Sequence, residues 1–363
     1  MNSTQLHDAV THSAQPTSHS PTALIDDIQT SLRSLQSDGT GSCAKSSGDA
    51  LGEFRVVLVV LAVLGVTELA FLTGKQRLSK DVEHLQSVPA LAERFATTAG
   101  SGPKMLFLGN SLTRYGIDEQ VFAESFSQAT GVSPRTLKIV PDNTAVADWF
   151  YVYRNQFAQP DRAPDVLVIG FEGGHLRDAP SRHTDRLAQF YCGWCNWPDL
   201  CRFDLPDFES QASFALAKCS ALYGNRDRVT RRALDVLIPG YRAGMDRINA
   251  SLQSHAVPST SAAPRYERLR ELILDAQRQH VRVVLAAMPV PEHYEFDAEL
   301  LAVVQQTGVE LLDLRRVNGI EPAMFFDGLH MDADAARLYS RALAVKLAEA
   351  KSGSFALQPA GGL

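Results

Sequence analysis

The sequence predicts an α/β domain, a parallel five-stranded sheet with helices on both faces, preceded by an N-terminal transmembrane helix. Three observations predict it. From Lys104 onward, short apolar runs alternate with amphipathic segments, the pattern of a parallel sheet covered on both faces. Between Arg55 and Lys75 lie nineteen residues with one charge, Glu68. The 363 residues are 45% hydrophobic and 21% charged, a balance able to bury a sizeable core. At roughly 100–200 residues per domain this is one large domain or two small ones. The formal net charge of −6 excludes a polybasic surface, so no nucleic acid is expected as a partner.

Residues 1–54 read as a disordered cytoplasmic tail. Sixteen of the first 50 residues are Ser or Thr, and only Arg33 and Lys45 are basic. Such a segment buries too little apolar surface to offset the entropy of ordering. One patch, Thr22–Leu35, has helical spacing of Leu24, Ile25, Ile28, Leu32 and Leu35. Residues 55–74 read as the transmembrane helix, because nineteen helical residues span about 28 Å, close to the hydrocarbon thickness of a bilayer. A buried soluble helix or strand is the other reading, since Val56–Val66 is strongly β-branched. A cleaved signal peptide would not carry a 50-residue leader, and no small-x-small cleavage site follows. Glu68 lies near one end of the run, where a carboxylate can reach the interface.

Lys45 and Arg55 precede the run while Lys75, Arg77 and Lys80 follow it, which by charge alone favours a cytoplasmic C-terminal side. Four of the five cysteines cluster after the run, which favours an oxidising compartment there. The orientation adopted is inside to outside.

Residues 75–102 read as a stalk or linker, helical around Val82–Arg94 and ending in Ala-Gly-Ser-Gly-Pro. Residues 103–352 form the domain. Lys104–Leu108 is the first strand. Asp118 caps a helix to about Ala129, which Gly131 ends. Thr136–Val140 is the second strand, Ala145–Phe157 an aromatic-rich helix, and Asp165–Gly170 the third strand. Tyr266, Leu269, Ile273, Ala276 and His280 keep helical spacing, and Val281–Ala287 is the fourth strand. A helix over about Asp297–Gln306, a fifth strand at Val309–Leu314 and a helix at Asp334–Lys351 complete the order. Residues about 172–262 interrupt the alternation as an insertion, and 353–363 read as a flexible tail.

Two distant places carry the chemistry. Gly109, Asn110, Ser111, Leu112 and Thr113 directly follow the first strand, where parallel sheets place ligands. Asp327, Gly328, Leu329 and His330 directly precede the last helix. A carboxylate three residues before an imidazole can fix its tautomer, leaving the other ring nitrogen to deprotonate a hydroxyl. A serine hydroxyl is a weak nucleophile without such a base.

In combination these motifs resemble those of the SGNH hydrolases, the GDSL-type esterases and acyltransferases. Their first motif, Gly-Asp-Ser-x-Thr or Gly-Asn-Ser-x-Thr, is matched by Gly109–Thr113, and their last, Asp-Gly-x-His before a helix, by Asp327–His330. The resemblance covers about Lys104 to Ala350 without the insertion. It implies a flavodoxin-like sheet, a triad of Ser111, His330 and Asp327, and no metal or organic cofactor. The middle motifs depart from the pattern. The loop after the second strand, Pro141–Asp148, lacks the usual Gly, and Glu172 takes the place of an Asn that donates to the oxyanion. An ionised carboxylate cannot donate there. The candidate oxyanion donors are the amide of Ser111, Asn143 and Gly173, with Gly174 beside it.

Membrane-anchored bacterial members of the superfamily place an exported domain behind one span, and their Asp/Trp-containing helix is similar to Asp148–Tyr151. Several transfer acyl groups onto envelope polysaccharides. The expectation is therefore a single-pass inner-membrane protein with a periplasmic or otherwise extracytoplasmic domain. It would be an ester hydrolase or O-acyltransferase acting through a serine acyl-enzyme on acylated glycans. The competing expectation is a catalytically weakened member that binds glycan or an envelope assembly partner. Arg114, Glu172 and Tyr115 are candidates for substrate binding. His175 and His293 lie on the same sheet edge, where a solvated loop histidine is the commoner case. Trp149, Tyr151, Trp194 and Trp197 could stack on sugars, the first two reading better as core. Cys192, Cys195, Cys201 and Cys219 read as two disulfides stapling the insertion, with zinc less favoured because a second Cys-x-x-Cys is missing.

Overall fold

The computed structural model describes residues 47–74, 80–241, 244–245 and 264–352. Of the tail expected over residues 1–54, residues 1–46 with the patch at Thr22–Leu35 lie outside the described residues, as does the tail at 353–363. The chain divides between Val63 and Leu64 into two units.

Helix α1, Ser47–Gly74, starts eight residues before the expected boundary. Within it Glu53–Thr73, 21 residues of mean hydropathy 2.5, is long and apolar enough to cross a membrane, and none of its side chains is buried in protein. Glu68 is its one charge toward the C-terminal end, and the structure gives that carboxylate a partner. It accepts from Ser220 Oγ at 2.8 Å, from the Leu222 amide at 3.2 Å and from the Ala221 amide.

The sheet has strand order 2-1-3-4-5, every pair parallel. Its strands are β1 Lys104–Leu108, β2 Arg135–Ile139, β3 Val166–Phe171, β4 Arg282–Ala287 and β5 Glu310–Asp313. Successive side chains of a strand point to opposite faces, and each strand divides accordingly. Leu106, Leu108, Leu167, Ile169, Val283 and Leu285 belong to one buried cluster. Met105, Phe107, Val166, Val168, Val284 and Ala286 belong to the other. Helices α4 (Glu119–Thr130) and α12 (Ala333–Ser352) cover the second face through Phe122, Phe126, Tyr339 and Leu343. Helix α4 is set at both ends as expected. Asp118 accepts the amides of Gln120 and Val121, each at 3.1 Å, and Gly131 closes the helix at φ 73°.

The first face is covered by α5 (Val146–Val152), α10 (Glu267–Arg278) and α11 (Ala298–Thr307). The aromatic helix does not run as one regular element to Phe157. It widens over Tyr153–Phe157, where the Ala158 amide reaches the Tyr153 carbonyl. Trp149, Phe150, Tyr151, Tyr153 and Phe157 are all fully buried.

The expected stalk belongs to the same core. Helix α2, Lys80–Thr97, buries Val82, Leu85, Val88, Ala92 and Phe95, a stripe at helical spacing. His84 Nε2 accepts the Val140 amide at 3.3 Å, so the helix is tied to the end of β2. The physical reason is the stripe itself: five apolar side chains on one face gain more from the sheet edge than from water.

The insertion contributes α6 (Trp197–Phe203), α7 (Phe208–Cys219), α8 (Ala221–Gly224) and α9 (Arg226–Leu237). Its four cysteines are free thiols, in place of the expected two disulfides. The insertion closes instead on apolar packing of Leu187, Leu200, Leu205 and Phe214 and on one buried ion pair. Arg268 Nη1 of α10 stands 3.1 Å from Asp204 Oδ1, and Asp204 also accepts Tyr151 Oη–H and the Ser181 amide, each at 2.7 Å. Cys192 is buried within this packing, and burial, reinforced by Asp204, pushes its thiol far above the ordinary range.

The placement of α2 makes a test. Leu85→Ala should destabilise the domain by about 2–5 kcal/mol, the cost of emptying a core site. Urea unfolding of the full chain in detergent reads this. A midpoint unchanged from wild type would mean that α2 stands off as a spacer.

Candidate active site

In a 2-1-3-4-5 sheet the chain leaves β1 and β3 in opposite directions, opening a crevice at their C-terminal ends. The segments that follow β1 and β3 both reach this crevice. Asn110 ends the β1 loop in extended conformation and caps helix α3, Ser111–Gly116. Its Oδ1 accepts the Leu112 amide at 3.0 Å, and its Nδ2 donates to the Thr144 carbonyl at 3.1 Å. Ser111 is thereby the first helical residue, where a backbone N–H has no intrahelical acceptor.

Thr113 explains the rest of the motif. It is fully buried, and its Oγ1 donates to the Gly170 carbonyl of β3 at 3.3 Å. A Cβ on Gly109 would stand 2.6 Å from Thr113 Cβ, and one on Gly170 would overlap Thr113 Oγ1 and lie 3.1 Å from Met288 Sδ. Glycine at both positions lets α3 close onto the sheet.

The Asp327–His330 turn comes from the far end of the chain. Gly328 takes φ 79°, so the turn reverses and the Asp327 carboxylate faces back along it. Asp327 Oδ1 accepts the amides of Leu329 at 3.1 Å and His330 at 2.8 Å, while Oδ2 meets His330 Nδ1 at 2.7 Å. His330 Nε2 stands 2.9 Å from Ser111 Oγ. Partial burial raises the Asp327 carboxyl, but the His330 and Leu329 hydrogen bonds outweigh it and hold the group below the usual carboxylate range. An ionised Asp327 only accepts, so Nδ1 carries the proton and Nε2 presents its lone pair to the serine hydroxyl. Tyr115 and Phe326 both pack on the imidazole, with ring centroids at 5.0 and 5.9 Å, and on each other at 5.4 Å.

These groups open on a cavity of about 370 Å³ whose wall includes Asn110, Ser111, Leu112, Tyr115, Leu329 and His330. The opposite wall is Asp142, Asn143, Glu172 and His175. Asn143 adopts φ 54°, and its Nδ2 stands 3.1 Å from His183 Nε2. Glu172 follows β3 directly. Burial raises its carboxyl, opposed by Arg177 and helped by Glu292. Gly173, at φ 41°, lies outside the wall. Arg114 is also outside it. Its guanidinium is committed to Asp142 at 2.8 Å and to the Val140 carbonyl at 2.8 Å, and it acts on the cavity only through Asp142.

Of the other sequence candidates, His293 is half exposed and paired with Glu295 at 2.6 Å, away from the cavity wall. Trp149 and Tyr151 are core, as expected, and Trp194 and Trp197 cluster with Phe214 inside the insertion. Asp142 and Leu329 line the cavity without having been singled out in the sequence. Asp142 adjoins Asn143, and Leu329 is the variable position inside the Asp327–His330 motif; those neighbours were the only available signal.

No family model matches the chain, and no curated protein matches it. Among solved structures it is similar to an acetylxylan esterase from Geobacillus stearothermophilus, at 16% identity and TM-score 0.34, over 67% of this chain and 93% of that one. It is similar to TesA at 13% identity and TM-score 0.32, over 68% of this chain and 99% of that one. It is similar to a lipase/acylhydrolase from Enterococcus faecalis at 11% identity and TM-score 0.34, over 68% and 96%. Values this low carry no activity across to this chain.

The glycine clamp around Thr113 makes a test. Gly170→Ala should cost about 1–3 kcal/mol by overpacking and should lower any Ser111-dependent activity by displacing α3. Adding Thr113→Ala to the same chain removes the overlapping atoms and should recover part of the melting temperature. If Gly170→Ala melts like wild type, the clamp does not exist.

Proposed function

We propose that the chain is an SGNH-type serine ester hydrolase or O-acyltransferase acting on small acyl esters of glycans, with Ser111 as nucleophile. The observation that carries this reading is the hydrogen-bonded chain from Asp327 through His330 to Ser111, opening on a cavity of small-ligand size. Ser111 Oγ attacks the ester carbonyl carbon as its proton passes to His330 Nε2. The negative Asp327 stabilises the imidazolium. Collapse of the tetrahedral adduct breaks the bond to the leaving alcohol, which takes the proton from Nε2. Water or a sugar hydroxyl then attacks the acyl-enzyme, with His330 again accepting the proton, and Ser111 is regenerated. The acceptor decides between hydrolase and transferase. The Ser111 amide is the oxyanion donor common to both.

A second reading has one specific observation in its favour. The Glu172 carboxylate lines the cavity, and a carboxylate repels a developing oxyanion. That would suit a member which binds glycan or an envelope assembly partner without turnover.

Labelling with a fluorophosphonate separates the two, because only an activated serine reacts. Wild type should label and should cleave a small acetyl ester. Ser111→Ala should do neither, and His330→Ala should lose at least about a thousandfold in kcat. Asp327→Asn should also be severe, because it disturbs the tautomer. An unlabelled but folded wild type would favour the binding reading.

The proposed site is the extracytoplasmic side of an inner membrane, reached through the span at Glu53–Thr73. Cys195 and Cys219 are exposed thiols and report the side directly. In intact cells, after mild reduction, a membrane-impermeant maleimide should reach both. Labelling only after permeabilisation would put the domain in the cytoplasm.

A further inference from the structure

The proposed reaction lacks a donor where Glu172 replaces an amide. We infer that His175 supplies it: the Nε2–H of a neutral imidazole, held in that tautomer by the Glu172 backbone, donates to the ester oxygen as it becomes an oxyanion. The inference rests on the acyl-transfer reading above and adds a residue to it.

The case begins with position. His175 sits on the short turn Gly173–Leu176 directly after β3, and it lines the same cavity as Ser111 and His330. Its tautomer follows from one contact. The Glu172 backbone N–H points at His175 Nδ1, with an N···N distance of 3.2 Å. An amide proton aimed at Nδ1 leaves no room for a second proton there. The alternative partner for an Nδ1 proton, Glu172 Oε2, is 3.7 Å away, too far for a hydrogen bond. The ring proton therefore resides on Nε2.

Asn110 does not consume that proton. Its Nδ2 stands 3.2 Å from Nε2 and 3.5 Å from Nδ1. The two ring nitrogens are separated by a single carbon, so an atom nearly equidistant from both cannot lie in the ring plane without overlapping that carbon. Asn110 Nδ2 therefore lies over the ring face, as an N–H···π contact. Its orientation is independently set by the Leu112 amide and the Thr144 carbonyl. The in-plane direction of Nε2–H remains unused by Asn110. The residue that presents the nucleophile thus also packs on the ring that presents the donor.

The charge state agrees with this geometry. Burial, reinforced by Arg182, pushes the His175 pKa down to about 4, so the ring is neutral at neutral pH. A neutral imidazole N–H is a very weak acid. It donates a hydrogen bond to the oxyanion and keeps its proton through both acyl-transfer steps, leaving proton transfer to His330.

The experiment compares His175→Ala, His175→Phe and His175→Gln in the full chain with wild type, following acetyl-ester turnover, fluorophosphonate labelling and melting temperature. Loss of one oxyanion donor lowers kcat by about 100–1,000-fold. Ala and Phe should show that loss with little change in KM, because the bond forms only as charge develops. Gln places an amide N–H near the position of Nε2–H, and should regain about tenfold or more of the loss. Phe fills the space without donating, so a packing role would leave Phe near wild type and Gln no better than Ala. That pattern, or wild-type kcat in the Ala variant at unchanged melting temperature, overturns the inference. A wild type that neither labels nor turns over ester fails at the earlier step and removes the acyl-transfer reading itself.

Discussion

Everything at the site hangs on the packing of Thr113 between Gly109 and Gly170. That contact fixes how closely the first turn of α3 approaches β3, and therefore where Ser111 stands relative to anything carried by the β3 loop. The interior there is close-packed, so one added methyl group at either glycine has nowhere to go. The loop after β2 is tied to the same point. Thr144 Oγ1 donates its one proton to the Pro141 carbonyl at 2.8 Å, with the Gly109 carbonyl 3.2 Å away, and accepts from Trp149 Nε1, while its own carbonyl takes the Asn110 amide. Three strand ends are thereby locked together independently of Ser111 Oγ, His330 and Asp327.

The polar groups around the cavity divide into those that are spoken for and those that are presented. Arg114 and Asp142 satisfy each other, Asn143 leans on His183, and Asn110 uses both ends of its amide. Ser111 Oγ and His330 Nε2 face each other, with Asp327 behind them held by two backbone amides. Such pre-set dipoles need little reorganisation when charge develops, which is the main electrostatic advantage an enclosed site has over water. The insertion is anchored in the same economy of satisfied groups. Asp204 is taken from solvent but meets Arg268, Tyr151 and the Ser181 amide. Breaking such a buried pair from one side costs more than the pair contributes.

Much of the fold was legible because its signals are local. The five strands appear within one or two residues of the positions set by their apolar runs, and α4 begins and ends at its Asp118 and Gly131 caps. The Asp327–His330 turn is held by contacts within three residues, and the Asn110 cap on the Leu112 amide is equally local, so these parts of the motifs could be read from the chain. The span at Glu53–Thr73 is a matter of length and composition alone. Other features were not legible. The stripe from Val82 to Phe95 showed a helix but not its partner, and a stalk and a packed helix have the same periodicity. Four close cysteines suggested cross-links, whereas the insertion closes on Phe214, Leu200 and the Asp204–Arg268 pair, whose members are 64 positions apart.

The sequence by itself determined the strand order along the chain, the helix caps, the apolar span and the residue types of the two motifs. Each of these depends on neighbours a few bonds away. Only the tertiary structure decided that Arg114 turns to Asp142, that Glu172 offers its backbone rather than its carboxylate to His175, and that Asn110 covers the face of that ring. The first and third are relations between the segments that follow β1, β2 and β3, and the second is settled within the turn after β3. Directions of side chains across a crevice are set by how closely the strands' ends pack, a quantity that no spacing along the chain contains.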